Sequence, residues 1–268
     1  MSPLNGFIFI SLFISFDLGV FFSITKYIKL EPGPLMVRKM DEKLHIGVIL
    51  DGNRRYAKKR GLLSFEGHRY GAERVRELVN WCSELGVGEL TLYTFSMDNF
   101  NRPQKEKDVL FKLFREYFKR FAEDKRAKKV KINFIGRLDL FPRDMQDIMN
   151  DLMEKTAENT ELIVNFAMGY GGRAEIVDAC KRIAEMVEAG KISPESIDEE
   201  MISQNLYLLH EPDLIIRPGG EKRVSNFLLW QGYYSEWYFS DKLWPEITKE
   251  DFEDAIKDYN SRERRYGK

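Results

Sequence analysis

From residue 44 to the C-terminus, short apolar runs alternate with longer segments in which apolar residues recur every three or four positions. The short runs are rich in Val and Ile and predict buried strands, whereas the longer periodicity predicts amphipathic helices. The predicted strands are 44–50, 90–95, 130–135, 162–167, 213–216 and 237–239. The predicted helices are 67–85, 105–124, 143–158, 171–188, 199–206 and 249–264. Strands that alternate with helices predict an α/β fold, a single domain with a mainly parallel six-stranded sheet flanked by helices.

The first 43 residues differ from this pattern and are predicted to be an N-terminal apolar extension of a main domain at 44–268. Residues 7–24 are almost all apolar and are long enough for one membrane span. Lys and Arg follow this segment but none precedes it, which would leave the main domain on the cytoplasmic side. Three explanations stay open: a membrane-associated segment, a packed appendage, or a mis-set start with translation beginning at Met36 or Met40. We expect a cytoplasmic protein that is peripheral to the membrane.

The charge balance bears on the class of partner. The 268 residues include 42 Lys and Arg and 43 Asp and Glu, which gives a net charge of −1. Proteins that bind nucleic acid are usually far more basic, so we expect no nucleic-acid partner. The two cysteines, Cys82 and Cys180, fall inside predicted helices and are expected to be buried thiols in a reducing compartment.

Polar residues follow three of the predicted strands at the point where each strand ends. Segments 51–56, 96–102 and 217–225 each combine arginine with a carboxylate, a hydroxyl, an amide or glycine. Ligands of α/β proteins bind at the carboxyl ends of the strands, and arginines, free N–H groups and carboxylates suit a diphosphate held with a divalent cation. Taken alone, Asp51 would be interpreted as a turn residue or a helix cap. The three segments together favour a diphosphate site with Mg²⁺.

The predicted helix 105–124 has a broad aromatic face. Such a face is usually core, but the wall of a tunnel for a long hydrocarbon would have the same pattern. Periodicity does not separate these two interpretations.

Several segments resemble the cis-prenyltransferase family. They are HIGVILDGNRRYAKKRG at 45–61, EGH at 66–68, LYTFSMDNFNRP at 92–103, DLIIRPGGEKRVSNFLLWQ at 213–231 and YSEWYF at 234–239. The resemblance is strongest to undecaprenyl diphosphate synthases and dehydrodolichyl-type enzymes, and departures from bacterial members suggest an archaeal branch. It implies repeated addition of isopentenyl diphosphate to an allylic diphosphate, with each new double bond cis. It also implies a hydrophobic tunnel, Mg²⁺, a homodimer, a geranylgeranyl or farnesyl starter, and a product of about undecaprenyl length that is the precursor of a glycosyl carrier lipid.

The resemblance also implies a role for particular residues. Asp51 and Asn99 would be catalytic, and Asp51 and Glu236 would bind the metal. The residues implied in binding the allylic diphosphate are Gly52, Asn53, Arg54 and Arg55, with His68 nearby. Further residues implied in binding substrate are Tyr56, Ser96, Met97, Asp98, Phe100, Arg102 and Val224. Those implied in binding isopentenyl diphosphate are Arg217, Arg223 and Ser225, with Arg265 and Gly267 of the tail reaching the site across a dimer interface. An amide is a poor base, so Asn99 is expected to position a proton path through diphosphate or water.

This sequence departs from the family pattern at a few positions. Tyr56 and Phe100 stand where tryptophan is usual, and Asp98 stands where Glu is common. Ser64 stands where the family often has a diphosphate-binding arginine. We expect Arg60 or Arg69 to supply the missing contact.

Two other functions are compatible with parts of the sequence. Residues 169–174, GYGGRA, match a loose dinucleotide fingerprint, but the acidic residue expected about twenty residues later is missing. These glycines are instead expected to permit tight packing between a strand and a helix. The second interpretation is a non-catalytic scaffold subunit, and the presence of Asp51, Asn99 and Glu236 argues against it.

Overall fold

The computed structural model describes residues 43–123 and 129–263. The predicted N-terminal extension up to residue 42, and the tail residues Arg265 and Gly267, lie outside the described residues. Within the described ranges, no helix is both long enough and apolar enough to cross a membrane.

Six strands form one sheet, in the order β3-β4-β2-β1-β5-β6. Every pairing in it is parallel, which confirms the predicted fold class. The strands are β1 (His45–Ile49), β2 (Glu89–Ser96), β3 (Val130–Ile135), β4 (Leu162–Tyr170), β5 (Leu214–Arg217) and β6 (Glu236–Phe239). All five residues of β1 are buried, as expected for a central strand with both faces covered.

Seven α-helices connect and cover the strands in the described part of the chain. They are α1 (Asn53–Lys59), α2 (Glu66–Glu84), α3 (Gln104–Glu123), α4 (Arg143–Thr156), α5 (Gly172–Glu188), α6 (Glu199–Gln204) and α7 (Lys249–Ser261). The helix α1 is absent from the helices predicted from the sequence. A helix of seven residues is too short to show apolar periodicity, so the pattern gave no sign of it.

The core lies between the sheet and α2, α3 and α4, and much of it is aromatic. Phe118 of α3 meets Phe134 of β3 edge-on at 4.8 Å, and Phe134 stacks on Phe166 of β4 at 5.5 Å. Each such side chain contributes roughly 1.5–3 kcal/mol by its burial. Cys82 is buried as predicted, but Cys180 is exposed, because it lies on the solvent side of α5.

The parallel sheet brings the predicted site segments to one edge. Since all strands run the same way, the carboxyl ends of β1 at Ile49, β2 at Ser96 and β5 at Arg217 lie at the same edge. Glu236 begins β6 and is in register with Leu214, the first residue of β5, so it lies toward the opposite edge.

Candidate active site

Asp51 lies just beyond the carboxyl end of β1, and its backbone is fixed by a distant tryptophan. The Trp244 backbone N–H donates to the Asp51 carbonyl at 2.9 Å, and the Trp244 indole N–H donates to the Gly71 carbonyl at 2.9 Å. The next residue, Gly52, has φ of 108°, which favours glycine and turns the chain into α1. Sequence analysis missed Trp244, because its contacts join segments far apart in the chain.

Two arginines pair with the Asp51 carboxylate. Arg55 donates to Oδ1 at 3.0 Å from the first turn of α1, and Arg217 donates to Oδ2 at 2.9 Å from the end of β5. The side chain of Arg217 is 3% exposed, whereas that of Asp51 is 27% exposed and lines the main cavity. Two cations therefore meet one carboxylate at the cavity wall, which leaves local positive charge for an anionic ligand.

Arg217 also organises the loop that follows β5. Its guanidinium donates to the Ser225 hydroxyl at 2.7 Å and to the Arg223 carbonyl, while its Nε is buried without a protein partner. Arg55 reaches the same loop and donates to the Gly219 carbonyl at 2.6 Å. The structure thus brings the predicted residues Asp51, Arg55, Arg217 and Ser225 together.

The outer part of this loop is exposed. The Arg223 guanidinium pairs with Glu221 at the surface, and Val224 is 41% exposed. Neither side chain lines the main cavity, so their predicted roles in substrate binding stay predictions.

The glycines of the 169–174 motif accommodate the same loop. Gly172 N–H donates to the Asn226 carbonyl at 2.7 Å, and Arg173 N–H donates to the Asn226 side-chain oxygen at 2.9 Å. A Cβ at Gly171 would lie 2.7 Å from Asn226 Nδ2, so a larger residue there would displace the loop. The small glycines of this motif thus allow the loop that carries Ser225 to approach closely, in addition to the strand and helix packing expected from the sequence. Asn226 was not among the predicted site residues.

His68 and Asn53 line the cavity with unpartnered polar atoms. Burial, and then the charges of Arg102 and Arg54, lower the pKa of His68 from 6.5 to about 4, so the imidazole is neutral at pH 7. Its Nε2 and the Asn53 Oδ1 are both buried without a protein partner. The other end of the Asn53 amide donates to the Leu50 carbonyl at 3.0 Å. Orphaned buried polar atoms at a cavity wall fit a polar ligand.

The predicted segment 96–102 forms a 3-10 helix, Met97–Asn101. The Asn99 side-chain oxygen accepts from Ser96 N–H at 3.1 Å, so Asn99 caps this turn and also lines the cavity. Arg102 lines the cavity too and pairs with Glu106 at 3.0 Å. Met97 and Asp98 belong to the same turn but do not line the cavity.

The two aromatic residues that replace tryptophan lie outside the cavity wall. Phe100 packs edge-on against Phe95 at 4.9 Å, inside the aromatic core. Tyr56 is buried, and its ring lies 5.3 Å from that of Tyr70. In both cases the structure shows a packing role.

Ser64 and the two arginines expected to supply its contact, Arg60 and Arg69, lie outside the main cavity. The Arg60 guanidinium lies over the Tyr56 ring at 4.9 Å, and Arg69 is 3.9 Å from Glu116, so both expected substitutes have other contacts. Ser64 instead lines a second, shallow cavity together with Arg54, Arg55 and Lys58. Lys58 was not among the residues selected from the sequence.

The main cavity has a volume of about 470 Å³ and changes in polarity along its length. Its mouth is polar and is lined by Asp51, Asn53, His68, Ser96, Asn99, Arg102 and Arg217, while Arg54 and Arg55 line the second cavity. Its wall then follows α2 through Ala72 and Val75 and α3 through the apolar face that sequence analysis could not assign. The α3 residues in contact with the cavity are Leu110, Leu113, Phe114, Tyr117, Phe118, Arg120 and Phe121. This part of the aromatic face therefore lines a cavity.

Glu236 does not line this cavity, and its predicted role as a metal ligand stays a prediction. It lies at the amino end of β6 and pairs with Arg262 at 2.5 Å. Along the strand direction, Ile49 at the end of β1 lies three residues beyond the level of Ile46, Leu214 and Glu236, or roughly 10 Å at 3.3 Å per residue. No group of three His, Cys, Asp or Glu in the described ranges could hold a metal. A cation here would need oxygen atoms of a ligand besides the Asp51 carboxylate, and Mg²⁺ is often bound by one or two carboxylates with substrate phosphates.

Cationic side chains next to an apolar cavity define a class of ligand. The mouth suits a diphosphate, and the wall suits a hydrocarbon that extends between α2 and α3. The geometry is that of an α/β enzyme acting on a lipid-like diphosphate.

Comparison with known proteins assigns the family. The family model described as putative undecaprenyl diphosphate synthase matches residues 49–267. The chain is 45% identical over 230 residues to tritrans,polycis-undecaprenyl-diphosphate synthase (geranylgeranyl-diphosphate specific) of Methanocaldococcus jannaschii, covering 84% of this chain and 82% of the relative. It is 46% identical over 225 residues to the isoprenyl transferase of Clostridium perfringens, covering 83% and 89%.

Solved structures agree with this assignment. Lavandulyl diphosphate synthase from Lavandula x intermedia, in complex with dimethylallyl diphosphate, matches with a TM-score of 0.79 and 34% identity over 84% of this chain and 98% of that chain. A probable undecaprenyl diphosphate synthase from Campylobacter jejuni matches with a TM-score of 0.72 and 35% identity over 85% and 100%. The chain belongs to the undecaprenyl diphosphate synthase family, which confirms the resemblance found in the sequence. It is a prenyltransferase of the class that carries out cis-prenyl chain elongation.

Proposed function

We propose that the protein condenses isopentenyl diphosphate repeatedly with geranylgeranyl diphosphate to give a polycis-polyprenyl diphosphate of about undecaprenyl length. The observation that carries this proposal is one cavity that joins the cationic mouth at Asp51 and Arg217 to the apolar wall of α2 and α3. The archaeal relative is named as geranylgeranyl-diphosphate specific, which supports a geranylgeranyl starter over a farnesyl one. The product would serve as precursor of a glycosyl carrier lipid.

Mg²⁺ is the cofactor that we propose, with Asp51 as its protein ligand. Among the described residues that line the cavity, Asp51 is the single carboxylate, and its oxygens are the hard ligands that Mg²⁺ prefers. When bound, the metal would neutralise negative charge that builds on the departing diphosphate.

The other residues bind and position the two substrates. Arg217 and Ser225 would hold isopentenyl diphosphate, because their side chains are already joined at 2.7 Å beside the cavity. Arg54 and Arg55 would hold the allylic diphosphate at the start of α1. The neutral His68 would hydrogen-bond without adding charge. Asn99, fixed by Ser96, would position the path by which the isopentenyl proton leaves.

We further propose a homodimer in which Arg265 and Gly267 complete the isopentenyl site of the second copy. The edge strand β6 and its neighbours support this, because Tyr233, Tyr234 and Phe239 are exposed there. Glu236 remains our second proposed metal ligand. Release of the long product into a bilayer would place the enzyme at the membrane surface.

The test is incorporation of radiolabelled isopentenyl diphosphate in the presence of Mg²⁺, with geranyl, farnesyl or geranylgeranyl diphosphate as starter. We expect long products from the wild type, most rapidly from the geranylgeranyl starter, and none from Asp51→Ala. No incorporation by folded wild-type protein with any starter would overturn the proposal and favour a scaffold subunit. A control variant, Asp241→Ala, removes a nearby carboxylate that does not line the cavity and should keep activity.

A further inference from the structure

The cavity is shorter than the product proposed for it. The α3 residues along its wall run from Leu110 to Phe121, which spans roughly 16 Å at 1.5 Å per residue. An extended five-carbon unit adds four C–C bonds of about 1.5 Å along a zigzag, or roughly 5 Å. A geranylgeranyl chain of four units is therefore roughly 20 Å long and spans the whole of this wall, whereas an undecaprenyl chain is nearly three times as long. The tail of the growing chain must leave the cavity at the end away from Asp51.

At that far end, polar side chains bridge α2 and α3. Glu73 of α2 accepts from the Tyr117 hydroxyl at 2.7 Å and from Arg120 at 3.4 Å, both on α3. Its second oxygen lies 3.2 Å from Arg76 Nε. Arg76, Tyr117 and Arg120 line the cavity at this end, where the rest of the wall is apolar. We name Glu73, Arg76, Tyr117 and Arg120 the distal latch.

The distal latch is built so that it can open. The side chains of Glu73 and Arg120 are 39% and 50% exposed, and ion pairs at such exposure contribute little to stability. The charged ends can turn into water while their stems still cover the apolar wall. Burial, and then the hydrogen bond to Glu73, raise the pKa of Tyr117 to about 12, so its hydroxyl remains a donor at neutral pH.

We propose that the distal latch closes the cavity around the starter and opens when the chain exceeds about four five-carbon units. Glu73, which holds all three partners, then determines how readily short intermediates become long products. This inference rests on the proposed function, because only an elongating chain would meet the latch.

The test compares Glu73→Ala with Glu77→Ala in single-turnover reactions started from geranylgeranyl diphosphate. Glu77 lies one turn further along α2, pairs with Arg74 and does not line the cavity, so its removal controls for charge and helix stability. We expect wild type and Glu77→Ala to accumulate intermediates one or two units longer than the starter. Glu73→Ala should lower that accumulation at least threefold and lengthen the products. Equal product ladders for Glu73→Ala and Glu77→Ala would overturn the proposal.

A cross-linked protein tests the same idea in the opposite direction. Glu73→Cys and Arg120→Cys, in a Cys180→Ser background that removes the exposed native thiol, would be joined by a short bismaleimide. We expect the joined protein to add one or two units and then stop, while the unjoined variant makes long products. Long products from the cross-linked protein would overturn the proposal that the distal latch must open. No incorporation by wild type under the same conditions would overturn the proposed function instead.

Discussion

Replacement of Asp51 by asparagine should change diphosphate binding in opposite directions with and without Mg²⁺. In the structure, Asp51 holds Arg55 at 3.0 Å and Arg217 at 2.9 Å. Asparagine has the same shape but no charge, so both arginines lose their ionic partner and can turn their charge toward a ligand. Without metal, we expect Asp51→Asn to bind inorganic diphosphate more tightly than the wild type.

The size of this effect follows from the geometry. Hydrogen bonds to charged groups contribute about 1.5–3 kcal/mol, but Asp51 is 27% exposed and is partly screened by water. The asparagine oxygen also keeps one acceptor for an arginine. The binding free energy of inorganic diphosphate should therefore improve by about 1.5 kcal/mol in Asp51→Asn, which is roughly a tenfold lower Kd. With Mg²⁺ the sign reverses, because the amide is a weaker ligand for a hard cation than a carboxylate.

Isothermal titration calorimetry with inorganic diphosphate, in EDTA and then in Mg²⁺, measures both directions. Asp241→Asn is the matched control, since Asp241 lies beside the same loop, 3.5 Å from the position of a Cβ at Gly220. It removes the same charge without releasing Arg55 or Arg217. If Asp51→Asn binds diphosphate more weakly than wild type in EDTA, or if both variants change equally, the reasoning is refuted.

Three further predictions concern neighbouring residues. The pKa of His68 is lowered to about 4 by burial and by Arg102, so the stability it contributes is full above pH 6.5 and is lost as the pH falls from 6.5 to 4. Urea unfolding at pH 7 and at pH 4.5 measures this loss as a drop in the free energy of unfolding. His68→Gln should reduce the drop by up to about 3 kcal/mol, and an equal drop in the wild type and the variant would contradict the prediction. Gly219→Ala should destabilise the fold by about 1–3 kcal/mol, because φ is +98° and the new Cβ would lie 2.6 Å from Arg55 Nη2; an unchanged Tm would contradict it. Asn226→Ala should raise KM for isopentenyl diphosphate about tenfold, the effect of about 1.4 kcal/mol, and leave KM for the starter unchanged. Equal changes in both constants would show a general loss of structure.

Much of the fold could be predicted from periodicity. The strand at Val130–Ile135 has the predicted bounds, because an alternating apolar run is flanked by polar residues on both sides. The helices α2 and α3 differ from prediction by one residue at each end, since each has a long amphipathic pattern. The helix α1 was missed because its residues are polar and its length is two turns.

Site residues could be predicted only where a charged side chain comes directly after a buried strand in the sequence. Asp51 and Arg217 were found because each ends a buried apolar run, and the parallel sheet then brings them together. Trp244 and Asn226 were missed, because a tryptophan or an asparagine far along the chain gives no local sign of the backbone group it will contact. The position of Glu236 depends on strand register, which a pattern of apolar residues does not give for so short a strand.

The central claim is that one substrate places its diphosphate at Asp51 and Arg217 and its hydrocarbon between α2 and α3. A geranylgeranyl diphosphate analogue with a photoreactive diazirine at the tail end tests this directly, with peptide mapping after irradiation. We predict labelling of the α3 peptide that contains Phe118 and Phe121, and loss of that label when unmodified geranylgeranyl diphosphate is added in excess. Labelling outside α2 and α3, or labelling that excess substrate does not prevent, would contradict the account.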